Sequence, residues 1–393
     1  MDSLINKVKC SMKKSALLSG LCLLAVAGCE QGLDGSDTKV VEPIKVCTRT
    51  DGSCMESNCD DINQPYQGPG SDFSMKEPNT TSYRYKLTGF YQTATGGFAV
   101  RGFHVKQNPL SPTHIPADGV VTGLVVGGVS QKLVGFAATN GNVKITYCTP
   151  GATGCGAGIN VIATGALLSG VQIKLQVPTP PGITAGGSID YTVQFDSAPQ
   201  VLNLVSPSSV DVRGFKFSYF YAGIAPQSLC QGPLGPQRTF LYQDSYWHPE
   251  TFARTEDASA ITVTCELGAI AACMSWGYRP WDARDFGGNT TSLRTWHAAC
   301  VNMKTANYCG DGVAWTRYGT AINVNDPLTP QVMSGSLARL EAFWDANGAR
   351  CVNDANRRIP SLPWSTSSCY ATMPSCDSLG SGAASVFLGS ALP

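Results

Sequence analysis

Arg84-Tyr85-Lys86-Leu87-Thr88-Gly89-Phe90-Tyr91 and Phe98-Ala99-Val100-Arg101-Gly102-Phe103-His104-Val105 stand on either side of Gly96-Gly97. Both runs carry aromatic and β-branched residues, and a Gly pair between two such runs is a hairpin signal. The pattern repeats outward. Leu133-Val134-Gly135-Phe136 and Val143-Lys144-Ile145-Thr146-Tyr147 flank Asn140-Gly141, a dipeptide that accepts the positive φ angles of a type I′ turn. Ile159 to Ile162, Gly170 to Val177, Ile189 to Phe195, Val201 to Val205 and Val210 to Phe220 add further β-branched or alternating runs. Residues 83–225 therefore read as an antiparallel sandwich or barrel-like sheet, not as alternating βαβ units.

After residue 225 the texture changes. Every Trp lies there: Trp247, Trp276, Trp281, Trp296, Trp315, Trp344 and Trp364. Ala258 to Cys265 reads as a strand. Arg294 to Tyr308 places Trp296, Cys300 and Met303 on a helical stripe. Ser334 to Ala346 reads as an amphipathic helix, with Leu337, Leu340, Phe343 and Trp344 on one face and Asn347-Gly348 as its stop. The chain is thus expected to be mainly β, with a Cys/Trp-rich α+β module over 226–377 stapled by disulfides. Residues 378–393 are small and read as a flexible tail.

The other end reads as an address. Lys7, Lys9, Lys13 and Lys14 precede an apolar stretch from Ser15 that ends Val26-Ala27-Gly28-Cys29. A basic start, a short apolar run and small residues before a cut describe a secretory signal. The run is shorter than the roughly 20 residues of a spanning helix. Small residues just before a Cys resemble the lipobox of bacterial lipoproteins. That resemblance implies cleavage after Gly28 and acylation of Cys29, with 1–28 as the signal peptide. Several acyl chains anchor a protein firmly where one is marginal. Glu30 after the Cys points to the outer membrane. Residues 29–82 are polar and read as a tether with a small knot at Cys47, Cys54 and Cys59. Asp51, Glu56, Asp60 and Asp61 crowd that knot, but their spacing fits no EF-hand, so they read as a solvated acidic loop.

The full chain has 28 basic and 28 acidic side chains, and removal of 1–28 leaves a net charge of −3. No basic stripe marks a nucleic-acid partner. The expected partners are the membrane, through the lipid anchor, and a protein or glycan of the cell envelope.

An exported chain should use its cysteines as cross-links. No Cys-x-x-Cys occurs and there are four His, so zinc-ribbon and thioredoxin-like readings fall away. The disulfide candidates are Cys148, Cys155, Cys230, Cys265, Cys273, Cys300, Cys309, Cys351, Cys369 and Cys376. Local spacing pairs Cys148 with Cys155 across a loop that turns easily. On one continuous helix Cys300 and Cys309 would lie ~13 Å apart, beyond the ~7 Å a disulfide spans. Distant partners for both are favoured, unless the helix ends near Lys304.

Ala306-Asn307-Tyr308-Cys309-Gly310-Asp311-Gly312 resembles the motif that names the ADYC-domain proteins of myxobacteria. Trp276-Gly277-Tyr278-Arg279-Pro280-Trp281, His297-Ala298-Ala299-Cys300, Thr316-Arg317-Tyr318-Gly319-Thr320 and Ala349-Arg350-Cys351 agree with it. The departure is Asn307, where the family usually has Asp. The resemblance implies a lineage and an exported setting, but no reaction.

The common catalytic signatures are missing: no Gly-x-Ser-x-Gly, no His-Glu-x-x-His, no P-loop. No catalytic residue, metal or cofactor is expected. His297 with Asp311 or Asp326, or His248 in its loop, is the alternative, a hydrolytic site in which His moves a proton. The favoured role of His297 is packing, and that of Gly310-Asp311-Gly312 is a tight turn. Tyr278, Arg279 and Trp281 are either a stacking platform or structural glue, with glue preferred. The expected function is a non-catalytic binding or structural module, lipid-anchored at the cell envelope.

Overall fold

The computed structural model describes residues 74–76, 83–106, 113–139, 141–149, 155, 161–182, 187–202, 212–232, 235–248, 254–266, 268–312, 315–316, 321–358, 368–380 and 382–393. The signal peptide, Cys29 and the knot at Cys47, Cys54 and Cys59 lie outside the described residues.

The first strands are β1 (Ser74–Lys76), β2 (Tyr83–Gln92), β3 (Phe98–Lys106), β4 (Thr113–Pro116), β5 (Gly119–Val126), β6 (Val129–Thr139), β7 (Asn142–Cys148) and β8 (Val161–Thr164). There follow β9 (Gln172–Pro178), β10 (Ser188–Phe195), β11 (Gln200–Leu202), β12 (Val212–Gly214), β13 (Phe217–Phe220), β14 (Gln227–Ser228), β15 (Gln231–Gly232) and β16 (Gly235–Pro236). Next come β17 (Thr239–Trp247), β18 (Arg254–Cys265), α1 (Ala269–Trp276), β19 (Ala283–Phe286), β20 (Asn289–Ser292) and α2 (Arg294–Thr305). The chain ends with β21 (Asn323–Asn325), β22 (Leu340–Asp345), β23 (Gly348–Val352), α3 (Ser368–Thr372) and β24 (Leu388–Ala391).

The large sheet runs β14-β13-β10-β9-β5-β3-β2-β18-β17, all antiparallel, with β6, β7 and β8 branching from β5. It curls into a half-barrel, as the barrel-like reading of 83–225 expected. The hairpin β2–β3 forms where the sequence placed it, in register from Tyr83 opposite Lys106 to Gln92 opposite Phe98. Alternation does the packing. In β9, Ile173, Leu175 and Val177 turn inward and Lys174 outward, so one face of the ladder becomes core.

Strands from both sides of residue 225 share this sheet. β18 pairs with β2, and β17 closes the edge beside it. β17 divides its side chains between two cores. Leu241 joins the half-barrel core with Ile261 and Val263, while Phe240, Tyr242 and Trp247 join a second core. That second core packs α1, α2 and a four-stranded sheet ordered β21-β24-β22-β23. Trp247, Trp276, Trp296 and Trp344 are buried in it, with Trp281 and Trp315 packed against it.

Two readings are corrected here. Ser334 to Ala346 contains no helix; Leu340–Asp345 is strand β22. Its apolar run imitates helical spacing because the strand is buried on both faces: Trp344 enters the second core and Phe343 a small third one. Asn347-Gly348 then serves as a hairpin turn between β22 and β23. The tail is not flexible either. Leu388–Ala391 forms β24, fully buried and paired with both β21 and β22. Small residues are required there. A Cβ at Gly389 would come within 2.8 Å of the Leu337 side chain and 3.2 Å of Phe343.

Candidate functional site

The motif that stood out in the sequence sits at the end of α2. This helix stops because Ala306 takes the left-handed conformation at φ 52°, a C-terminal position that usually belongs to Gly. Ala306 is also fully buried, so its methyl fills core that Gly would leave empty. Beyond it, the Asn307 side chain ties the turn. Its amide donates to Asn302 Oδ1 at 3.1 Å, and its Oδ1 accepts from the Gly312 backbone N–H at 3.1 Å. Asn302 in turn donates to the carbonyls of Asp345 at 3.3 Å and Ala346 at 3.0 Å. The motif is therefore clamped on the β22–β23 turn. Gly310 makes this approach feasible. It has φ 66°, and a Cβ there would collide with the Asn347 carbonyl.

Tyr308 points inward, onto a charge. Its hydroxyl donates to Glu341 Oε1 at 2.7 Å. Glu341, on β22, has no exposed surface. Arg358 Nε donates to Glu341 Oε2 at 2.9 Å, and the Arg358 backbone N–H reaches Oε1 at 3.3 Å. Ser390, on β24, donates to Oε2 at 2.7 Å and accepts from Trp344 Nε1 at 2.8 Å. The Tyr308 and Trp344 rings stack with centroids 5.1 Å apart. Four donors on one carboxylate are what a buried charge needs, since without them its desolvation is prohibitive. Neither Glu341 nor Arg358 was singled out in the sequence. Glu341 lay inside the supposed helix as one polar residue among apolar ones, and a charge within a doubly buried strand was the signal available.

All ten candidate cysteines from Cys148 onward are cross-linked. The pairs are Cys148–Cys155, Cys230–Cys265, Cys273–Cys300, Cys309–Cys369 and Cys351–Cys376. The local pair falls as expected, and Cys300 and Cys309 both find distant partners. Cys273–Cys300 joins α1 to α2. Cys309–Cys369 fastens the motif itself to α3.

The sequence matches a model of the ADYC domain over residues 165–358. The chain carries an ADYC domain. The match begins just before β9 and so takes in sheet strands as well as the Cys/Trp-rich region. No curated protein and no solved structure matches the chain.

Other candidates in the ADYC domain are spent internally. His297 is fully buried on α2. Its Nε2 meets the Ile270 carbonyl at 3.0 Å, and Tyr242 and Trp247 flank its ring, each at 5.7 Å. Bonding to a carbonyl fixes the proton on Nε2. Nδ1 has no hydrogen-bond partner among the described residues. Burial, helped by the nearby Arg254 charge, brings its pKa down to about 4 against the pull of the Ile270 bond. Asp326, its supposed partner, serves another purpose. It accepts from the Tyr278 hydroxyl at 2.7 Å and from the backbone N–H groups of Leu328, Val332 and Met333. Asp326 thereby holds the loop 326–333 closed, and burial raises its pKa despite these donors. His248 packs its ring against Phe103 with centroids 5.9 Å apart.

Tyr278 is fully buried and Arg279 nearly so, which leaves no open stacking platform. Arg279 acts as glue: it pairs with Asp282 at 2.7 Å. A cavity of about 380 Å³ lies beyond the motif, lined by Arg350, Cys369, Met373, Pro374, Leu379 and Phe387 among others.

Proposed function

We propose that the mature protein is a lipid-anchored, exported module of the cell envelope whose ADYC domain binds or scaffolds and does not catalyse. The observation that carries this reading is the complete pairing of the ten cysteines from Cys148 to Cys376. Such a set belongs to an oxidising compartment, and the leader ending at Gly28, just before Cys29, supplies the route. The outer membrane is the proposed site, on the strength of Glu30. Further support comes from the motif, whose Tyr308, Asn307 and Cys309 are committed to internal bonds. A reactive centre keeps such groups within a substrate's reach.

The test expresses the full chain in a Gram-negative host with an alkyne-tagged fatty acid. The expected result is label in the outer-membrane fraction, lost in Cys29→Ser. Unlabelled chain with reduced thiols in the cytosol would overturn the reading. For the absence of catalysis, the purified protein is screened against broad ester, peptide and glycoside substrates. Turnover that disappears in His248→Ala or His297→Asn, with the disulfides intact, would replace the module by a hydrolase.

A further inference from the structure

We propose that Lys304 and Arg358, at the C-terminal end of α2 beside the motif, form a binding site for an oxyanion of carboxylate or phosphate type. The inference rests on reading the domain as a binding module and names its ligand chemistry.

The Glu341–Arg358 pair leaves one cation beside the motif without a described carboxylate. Glu341 is fully buried and is matched by Arg358, whose side chain is 1% exposed. Lys304 adds a second cation. It has no carboxylate partner among the described residues; its ammonium lies over the face of Trp276, 4.9 Å from the ring centre. Burial, with the nearby Arg358 guanidinium, brings the Lys304 pKa down to about 8. Two cations therefore lie near each other, and the one carboxylate described with them, Glu341, is bonded to Arg358.

Arg358 also keeps an unused donor group. Nε serves Glu341, and Nη1 reaches the Lys304 carbonyl at 3.4 Å. Nη2 is buried and has no hydrogen-bond partner among the described residues. The helix end does not absorb it. Val301 O accepts from Thr305 Oγ1, Asn302 O from the Asn307 N–H, and Met303 O from the Ala306 N–H. Lys304 O is taken by Arg358 itself, and Thr305 O accepts from the Trp315 N–H. A buried guanidinium nitrogen without an acceptor is costly. An oxyanion answers both deficits: one oxygen accepts from Nη2, another from the Lys304 ammonium, and the charge is neutralised. Lys304 is only half-buried, which leaves a solute an approach.

The experiment is equilibrium dialysis of the purified mature protein against labelled inorganic phosphate and, separately, labelled acetate. Ionic strength is held with chloride. The expected result is one saturable site per chain for at least one probe. Lys304→Met should weaken it at least about tenfold, the loss of one charge-assisted hydrogen bond, while exposed Lys174→Met leaves it unchanged. If Lys304→Met does not fold, the ¹⁵N resonance of the Lys304 ammonium is followed in the wild type and should shift with saturation. Uptake without saturation for both probes, an unaltered affinity in Lys304→Met, or a resonance that does not move would each overturn the proposal. Acylation and turnover are read separately, so this site can fail while the proposed function stands, and the reverse.

Discussion

In the half-barrel, β9 and β10 exchange seven residue pairs in unbroken register and bury Ile173, Leu175, Val177, Ile189, Tyr191, Val193 and Phe195 between them. Beyond β18 the strands shorten to between three and six residues, and Cys273–Cys300, Cys309–Cys369 and Cys351–Cys376 hold them. The contrast has a physical reason. A long ladder satisfies its own backbone, so its inward face can be purely apolar. Short elements end often, and their ends must be met by side chains. Asn302, Asn307, Asp326 and Glu341 do this in the second region, each buried and each bonded to backbone or to another buried group. The half-barrel is held chiefly by area, with Cys148–Cys155 and Cys230–Cys265 added, and the second region by buried pairing and the other three bridges.

The sharpest way to break this contrast is to remove the central charge. Glu341→Ala leaves Arg358 buried without its carboxylate and takes an acceptor from Tyr308 and Ser390. Losing one partner of a buried pair costs about 3–5 kcal/mol. Leu175→Ala in the half-barrel should cost about 2–5 kcal/mol through transfer and cavity terms. Guanidinium denaturation of both variants gives the comparison. A cost for Glu341→Ala well below that for Leu175→Ala would show that the second region is also held chiefly by area.

Cross-link removal ranks next. By loop-closure entropy, the Cys309–Cys369 bridge, which spans 60 residues, should contribute about 4 kcal/mol. Cys148–Cys155 spans only 7 residues and should contribute about 2.5 kcal/mol. Paired Cys→Ala variants measured by thermal unfolding test the order. If the short bridge of the sheet proves the more costly to lose, the staples are not what distinguishes the two regions.

The half-barrel was legible because its signals are local. Period-two alternation and Gly-Gly or Asn-Gly turns are written within ten residues of one another. The second region was legible only where a resemblance or a spacing rule applied. The motif and the distant pairing of Cys300 and Cys309 were readable. β22 was not, because Leu337, Leu340, Phe343 and Trp344 satisfy helical spacing while serving two different cores, the first three the small third core and Trp344 the second. β24 was not, because Gly389-Ser390-Ala391 looks like a loose end until the close approach of Leu337 and Phe343 is known. Glu341 meeting Arg358 and Ser390 depends on three separate elements, which no local pattern records.

His297 offers a gentler probe of the second core. Its folded pKa of about 4 lies below its ordinary value of 6.5, so the unfolded chain binds the proton more readily. Stability is then full above pH 6.5 and is lost as pH falls toward 4, by about 3 kcal/mol in all. Asp326 acts in the other direction, since burial raises its carboxyl above 3.8 and acid relieves it. The His297 slope is therefore best read between about pH 6.5 and 5. Denaturation midpoints across that range should fall with acid in the wild type and flatten in His297→Asn. An equal slope in the variant would place the acid sensitivity elsewhere.

Asn307, the one departure within the motif, gives the smallest effect. Asn302 has committed its amide nitrogen to the carbonyls of Asp345 and Ala346, so its Oδ1 is the atom that faces residue 307. That atom needs a donor. The Asn307 amide supplies one while its own oxygen holds the Gly312 N–H. An ionised Asp would keep the second bond but set a carboxylate against the Asn302 oxygen. Asn307→Asp should cost about 1–2 kcal/mol at neutral pH, the loss of one buried hydrogen bond with its acceptor left bare. Protonation restores a donor, and the penalty on the ionised form raises the folded pKa, so the cost should shrink as pH falls toward about 4. The double variant Asn307→Asp with Asn302→Lys, which offers a donor from the other side, should recover part of it. A neutral-pH cost unchanged in the double variant would mean that Asn302 does not dictate the residue at 307, and that the departure from the family pattern has another cause than this clamp on the β22–β23 turn.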